Sequence, residues 1–281
     1  MNLRRFAWAL AALLGTLLAG CASGPPMTTE GGVPIDATHT ARGQDSRVLF
    51  LVIHYTVANF RASMKILTEQ DVSAHYLLSD ESPPRIFRLV NENRRAWHSG
   101  DSAWGQNRRL NSSSIGIEIV HPGFMTTPDG RRVYLPFAKE QIDALVPLVT
   151  DIVKRHQIKP ERILGHGEVT APYKEDPGPT FPWKLFAELG ITPPWPDAER
   201  VAAQRTVFEA ALPDIAWFQK TLAQHGYELP PSGEMDEPTQ RVLMNFQMRY
   251  RPADYSGQPD AESAAILWVL TNPLPKAPRP P

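Results

Sequence analysis

Two histidines that stand where short apolar runs end, and an aspartate in a proline-rich loop, are of types that suit a single metal ion. His54 follows Val52-Ile53, and His166 stands in Gly165-His166-Gly167-Glu168. Asp176 lies ten residues later, in Lys174-Glu175-Asp176-Pro177-Gly178-Pro179. Two imidazoles, one carboxylate and one open position for water are what a catalytic zinc ion requires. Mg²⁺ and Ca²⁺ prefer all-oxygen sites, so the histidines argue against them. The proline after Asp176 pushes that residue into an extended conformation, which points Lys174 and Asp176 to one side and Glu175 away. Pro177 and Pro179 stiffen the loop and lower the entropy lost when Asp176 is fixed on a metal. Lys174 is expected beside the metal without ligating it, where its charge would stabilise a developing oxyanion. Glu118 completes the set: if Ile115, Ile117 and Ile119 pack under helices, the carboxylate faces the open side as general base for a water.

The elements that must position these groups are legible in the pattern. Val48 to Ile53 is a continuous apolar run, as expected for a strand buried on both faces. Ser63 to Gln70 fits a short helix. Ala74–Leu78, Ile86–Val90 and Arg162–Leu164 read as strands, and Ser114–Val120 alternates as a strand should. Lys139 to His156 is the clearest helix, with Ile142, Leu145, Val149 and Ile152 on one stripe and Pro147 placed to kink it. Residues 46–194 are therefore expected to form an α/β or α+β domain. Pro193-Pro194-Trp195-Pro196 marks a boundary, and residues 201–272 read as three helices, the second capped by Asp236 and the third starting near Asp260. The tail 273–281 is too proline-rich to pack.

Arg4 and Arg5, an apolar stretch from Phe6 to Leu18 and a small-residue site read as a signal peptide over residues 1–20. Leu18-Ala19-Gly20-Cys21 resembles the lipobox of bacterial lipoproteins, which implies that Cys21 becomes an acylated N-terminus; the alternative is a buried structural cysteine. Residues 21–45 read as a flexible tether. Ala22, where an aspartate would retain a lipoprotein in the inner membrane, suggests an outer-membrane address facing the periplasm. The formal net charge is −1, and −3 without Arg4 and Arg5, so nucleic acid is not an expected partner. With one cysteine in the chain, no intrachain disulfide is possible.

Six strings occur in a telling order: Ile53-His54-Tyr55-Thr56, Ser73-Ala74-His75-Tyr76, Ala96-Trp97-His98-Ser99-Gly100, Asn111 with Ser114-Ile115-Gly116-Ile117-Glu118, Gly165-His166, and Lys174 to Pro179. Together they resemble the zinc-dependent N-acetylmuramoyl-L-alanine amidases, a superfamily shared with peptidoglycan-recognition proteins and phage lysozyme-type amidases, and most resemble its AmiD-type lipoproteins. The resemblance implies a mixed sheet flanked by helices and one Zn²⁺ ion on His54, His166 and Asp176. It also implies Glu118 and Lys174 as catalytic groups, and substrate contacts from His75, His98, Trp97 and Asn111. Some relatives carry a tyrosine where this chain has Ala74, which shifts the burden to Glu118. Phe218-Gln219, Gly226-Tyr227, Gly233, Asp236 and Phe246-Gln247 resemble a three-helix peptidoglycan-binding domain. The expected partners are peptidoglycan or muropeptides and a membrane reached through the lipid anchor alone, and the expected state is a monomer. A zinc peptidase cutting within the stem peptide and a non-catalytic peptidoglycan receptor are the competing readings.

Overall fold

The computed structural model describes residues 27–274, so the expected signal peptide, Cys21 and the end of the proline-rich tail lie outside the described residues. The chain up to Asp45 forms one unit and Ser46 onward another. In the first, β1 (Met27–Thr28) and β2 (Pro34–Ile35) pair antiparallel, and every described residue is exposed.

The second unit is built on a five-stranded sheet. In chain order its strands are β3 (Phe50–Tyr55), β4 (Tyr76–Leu78), β5 (Ile86–Arg88), β8 (Ser114–Ile119) and β11 (Ile163–Gly165), and they lie in the order β11-β3-β8-β4-β5. The first four in that order run parallel and β5 closes the edge antiparallel. Two hairpins stand apart, β6 (Ala103–Trp104) with β7 (Asn107–Arg108) and β9 (Phe124–Thr126) with β10 (Arg132–Tyr134). Helix α1 (Phe60–Glu69) is capped by the Asn59 side chain on the Ala62 N–H.

Alternation along the strands divides the core into two faces. Leu51, Ile53, Ile163 and the three isoleucines of β8 pack under Ile142, Leu145, Val149 and Ile152 of α2 (Lys139–His156). Pro147 lies within α2 on its exposed side, where water can take the carbonyl it leaves unbonded.

The opposite face carries Phe50, Val52 and Leu164. It is covered by Phe218 and Leu222 of α6 (Ile215–His225), Phe246 of α7 (Glu237–Tyr250), and Ala264 and Leu267 of α8 (Ala261–Thr271). The C-terminal helices therefore share a hydrophobic core with the sheet. Asp214, Asp236 and Asp260 cap the three helices through the N–H groups of Trp217, Thr239 and Ser263. Two short helices follow β11: α3 (His166–Val169), a single turn buried along its whole length, and α4 (Trp183–Glu188). A further helix, α5 (Ala198–Ala210), precedes the three and begins before residue 201, where the helical segment was expected to start. Its apolar residues form no stripe and none is buried, so it left no periodic signal.

Candidate metal centre and cleft

The chemistry gathers at the carboxyl ends of three adjacent parallel strands, where the ligand sites of open α/β sheets lie. His54 is the fifth residue of β3, Glu118 the fifth of β8, and His166 follows β11 directly. His54 and Glu118 are register partners across β3 and β8, so both side chains leave the sheet on the same face. Asp176 reaches the same point from the loop after α3, which Gly167 ties down by donating its N–H to the Asp176 carbonyl at 2.7 Å.

Asp176 Oδ2 stands 3.2 Å from His54 Nδ1 and 3.2 Å from His166 Nδ1. The donor atoms of the three buried residues all lie within 4.8 Å of one another. Ligand bonds of about 2.0–2.1 Å in a tetrahedron place neighbouring donors about 3.3 Å apart, so the set fits a small tetrahedral cation. Glu118 Oε1 lies 3.9 Å from His54 Nδ1, and Oε2 is buried with no hydrogen-bond partner. An orphaned carboxylate oxygen beside three ligand atoms is one more sign that the site is shaped around something polar.

The tautomer of His54 is fixed by a chain of hydrogen bonds. Ser114 Oγ donates its only proton to the Leu110 carbonyl at 2.6 Å. It must then accept from His98 Nε2, 3.1 Å away, which leaves His98 Nδ1 as an acceptor for His54 Nε2–H at 3.1 Å. His54 Nδ1 is thus a bare lone pair facing a carboxylate oxygen. Two acceptors at 3.2 Å repel unless a cation lies between them. Burial supports neutral rings: it lowers His54 to about 4, with His166 adding to the effect and Asp176 opposing it, and it holds His98 well below the usual histidine range. Burial also raises the Glu118 carboxyl to about 8, with the Asp176 charge adding to the shift and Lys174 opposing it.

Above the triad opens a cleft of ≈ 470 Å³, lined among others by Glu118, Lys174, Trp97, Tyr173, Arg132 and Arg241. Trp97 is half exposed at this wall, with the Arg95 guanidinium 3.9 Å over its ring. Lys174 and Asp176 both reach the cleft, as the loop pattern predicted. Glu175 reaches it too, because its carboxylate turns to Arg132 of β10 at 3.0 Å rather than away.

Of the other expected substrate contacts, His98 reaches the cleft and His75 and Asn111 do not. His75 is fully buried: Nδ1 accepts from the Gly116 N–H at 3.1 Å and Nε2 faces the Arg94 carbonyl at 3.1 Å, so its ring clamps β8 to the 91–97 loop. Asn111 Oδ1 accepts from the N–H groups of His98 and Ser99 and from Ser99 Oγ, which orders the loop carrying His98. His98 lines the cleft, but both its ring nitrogens are engaged behind His54.

Ser114 and Gly116 escaped the reading of the sequence. A Cβ on Gly116 would overlap the His98 ring, and a glycine inside a strand is the usual sign of such a close approach.

Fold and site together suit a hydrolase: a water-accessible cleft, three buried residues that could hold a metal ion and a carboxylate beside them. A family model for N-acetylmuramoyl-L-alanine amidases matches residues 44–179, and one for a peptidoglycan binding domain matches residues 212–267. The N-acetylmuramoyl-L-alanine amidase AmiD of Escherichia coli strain K12 is 42% identical over 274 residues, covering 95% of this chain and 98% of its own. The chain belongs to the N-acetylmuramoyl-L-alanine amidase family. AmiD from E. coli, solved with the substrate anhydro-N-acetylmuramic acid-L-Ala-D-γ-Glu-L-Lys, superposes with a TM-score of 0.75 at 39% identity, over 86% of this chain and 96% of that one. AmpDh3 from Pseudomonas aeruginosa superposes with a TM-score of 0.76 at 37% identity, over 87% and 98%.

Proposed function

We propose that this protein is a zinc-dependent amidase that hydrolyses the bond between the lactyl group of N-acetylmuramic acid and L-alanine, with Glu118 and Lys174 as its catalytic groups. The observation that carries the reading is the facing pair of bare acceptors, His54 Nδ1 and Asp176 Oδ2 at 3.2 Å, with Glu118 as the register neighbour of His54. The donor set of two imidazoles and one carboxylate favours a single Zn²⁺ ion. Bound by His54, His166 and Asp176, that ion would supply Lewis-acid activation of water and of the scissile carbonyl.

The chain's own groups do the remainder. Glu118 takes a proton from the attacking water as the new C–O bond forms. The same proton then passes to the departing alanine nitrogen as the C–N bond breaks, so the carboxylate ends as it began. A carboxyl raised by burial suits this shuttle, because a nearby cation brings it back toward the working pH. The Lys174 ammonium faces the negative charge that develops on the carbonyl oxygen. Trp97 offers an exposed ring at the cleft for a sugar or peptide face.

The Leu18-Ala19-Gly20-Cys21 string and Ala22 support an outer-membrane lipoprotein facing the periplasm. Fractionation of wild type against Cys21→Ser tests the address: wild type in the soluble or inner-membrane fraction would refute it.

Mass spectrometry of a muropeptide such as anhydro-N-acetylmuramic acid-L-Ala-D-γ-Glu-L-Lys after incubation tests the reaction. The expected products are the sugar with its lactyl carboxylate and a peptide with a new free amine on L-alanine. A new amine on any other residue would favour a peptidase.

A further inference from the structure

Helix α7 belongs to the segment that resembles a peptidoglycan-binding domain, yet one of its faces is turned to the catalytic loop. Arg241, Asn245 and Arg249 recur every fourth residue, which places them on one side of the helix. Asn245 is buried, and its Nδ2 donates to the carbonyls of Ala171 at 3.2 Å and of Lys174 at 3.0 Å. Gly167 has no room for a side chain because a Cβ there would overlap Asn245 Oδ1. One turn on, Arg249 donates to Glu168 Oε2 at 2.6 Å, both side chains being 5% exposed, and its guanidinium lies 4.0 Å over the Trp183 ring. That same Glu168 oxygen accepts from the Gly165 N–H at 2.7 Å, next to His166. The loop bearing His166, Lys174 and Asp176 is therefore held from the C-terminal segment.

The third member of this face, Arg241, lines the cleft itself, together with Lys174, Asp176 and Glu118. Its nearest carboxylate is that of Glu237 one turn back, at 4.0 Å and on an 81% exposed side chain, a distance too long for a hydrogen bond. Arg132, the other arginine of the cleft, is held by Glu175. A half-buried guanidinium with no close acceptor among the described residues, at a fixed place relative to Lys174, suits an anion brought by the substrate.

We propose that Arg241 binds a free carboxylate of the substrate's stem peptide, so that α7 is a specificity-determining wall of the cleft. A γ-linked D-glutamate leaves its α-carboxylate free, and this is the group of that class nearest the scissile bond. The assignment rests on the muropeptide reading above, and direct binding separates the two.

In a Glu118→Gln background, the affinity for anhydro-N-acetylmuramic acid-L-Ala-D-γ-Glu-L-Lys is compared by calorimetry with that for its α-carboxamide counterpart. Adding Arg241→Ala should weaken binding of the acid about tenfold or more and leave the amide within about twofold, while Arg241→Lys recovers part of the loss. In the enzyme with Glu118 intact, Arg241→Ala should raise KM for the acid with kcat nearly unchanged and with full metal stoichiometry. Equal weakening toward acid and amide, or no weakening toward either, would overturn the assignment, as would a parent that binds neither. Acid-selective binding without hydrolysis would count against the amidase reading and leave Arg241 in place.

Discussion

His54 Nε2 and His98 Nδ1 meet at 3.1 Å, and the direction of that hydrogen bond is set two residues away, by the proton Ser114 gives to Leu110. The proposed metal ligand His54 is thus oriented through a second imidazole and a hydroxyl, all drawn from strand ends and one loop. Partners of this kind commonly change metal affinity 10–100-fold when removed. His98→Phe should weaken zinc binding by that order, read by chelator competition, with the far-ultraviolet circular dichroism unchanged. His98→Asn, whose Oδ1 can stand where Nδ1 stood, should restore most of it. Equal zinc affinity in His98→Phe and wild type would show that His54 needs no such support.

Glu118→Gln should keep stoichiometric zinc and lose about 10²–10⁴ in kcat, because the amide fills the same space and takes no proton. Lys174→Ala should also keep its metal and lose about 10²–10³. Metal analysis beside steady-state kinetics decides both: loss of zinc would place either residue in metal support.

Glu92 makes a pH prediction. Arg155, Tyr76 and His156 all bond its carboxylate, with His156 Nε2 at 2.9 Å and Tyr76 Oη at 2.6 Å. The Arg155 hydrogen bond leads in holding it down to about 2, against the opposing effect of burial. A carboxylate depressed in the folded state stabilises above its unfolded value of about 4.3 and loses that stability as pH falls toward the folded value of about 2. The contribution at neutral pH is about 1–2 kcal/mol, less than the full shift because Arg155 is 41% exposed and screened. Denaturant unfolding of Glu92→Gln should show this deficit at pH 7 and a shrinking one between about pH 4 and pH 2. A deficit independent of pH would refute the ion-pair account.

Phe246 is fully buried in the core that α7 shares with Phe50 and Val52 of β3. Phe246→Ala should cost about 3–5 kcal/mol and lower the melting temperature of the whole second unit in a single transition. Two separate calorimetric transitions, with only one displaced, would show that the helices fold independently of the sheet.

What could be read from residues alone followed from local periodicity. The apolar run of β3, the alternation of β8 and the stripe of α2 each state their own face; His54 and His166 were identifiable because each follows an apolar stretch of strand, and Glu118 because it faces away from the isoleucines of β8. The Asp236 and Asp260 caps were legible for the same reason, since a cap acts within one turn. Helix α5 was not, because none of its residues is fully buried and its apolar ones form no stripe. His75 and Asn111 were assigned to substrate because they stand in the strings that carry the family resemblance. Yet their partners, Gly116 and the His98–Ser99 backbone, lie 12 to 41 residues away, and no local pattern records such a pairing. Arg241 was invisible for a stronger reason: the loop it faces is fixed by a helix more than 60 residues downstream.

The core beneath β3 joins residue 50 to residue 267, almost the ends of the second unit. A chain emerging from its N-terminus makes the first strand of the sheet long before α8 exists to cover it. Contacts so distant in sequence slow folding, since loop closure comes before the gain from burial. Until the last helices arrive, Asn245 and Arg249 cannot hold the loop that carries His166, Lys174 and Asp176. A chain that stops short of α7 therefore lacks the contacts through which Asn245 and Arg249 hold this loop, so the order of synthesis sets when the cleft takes its final form.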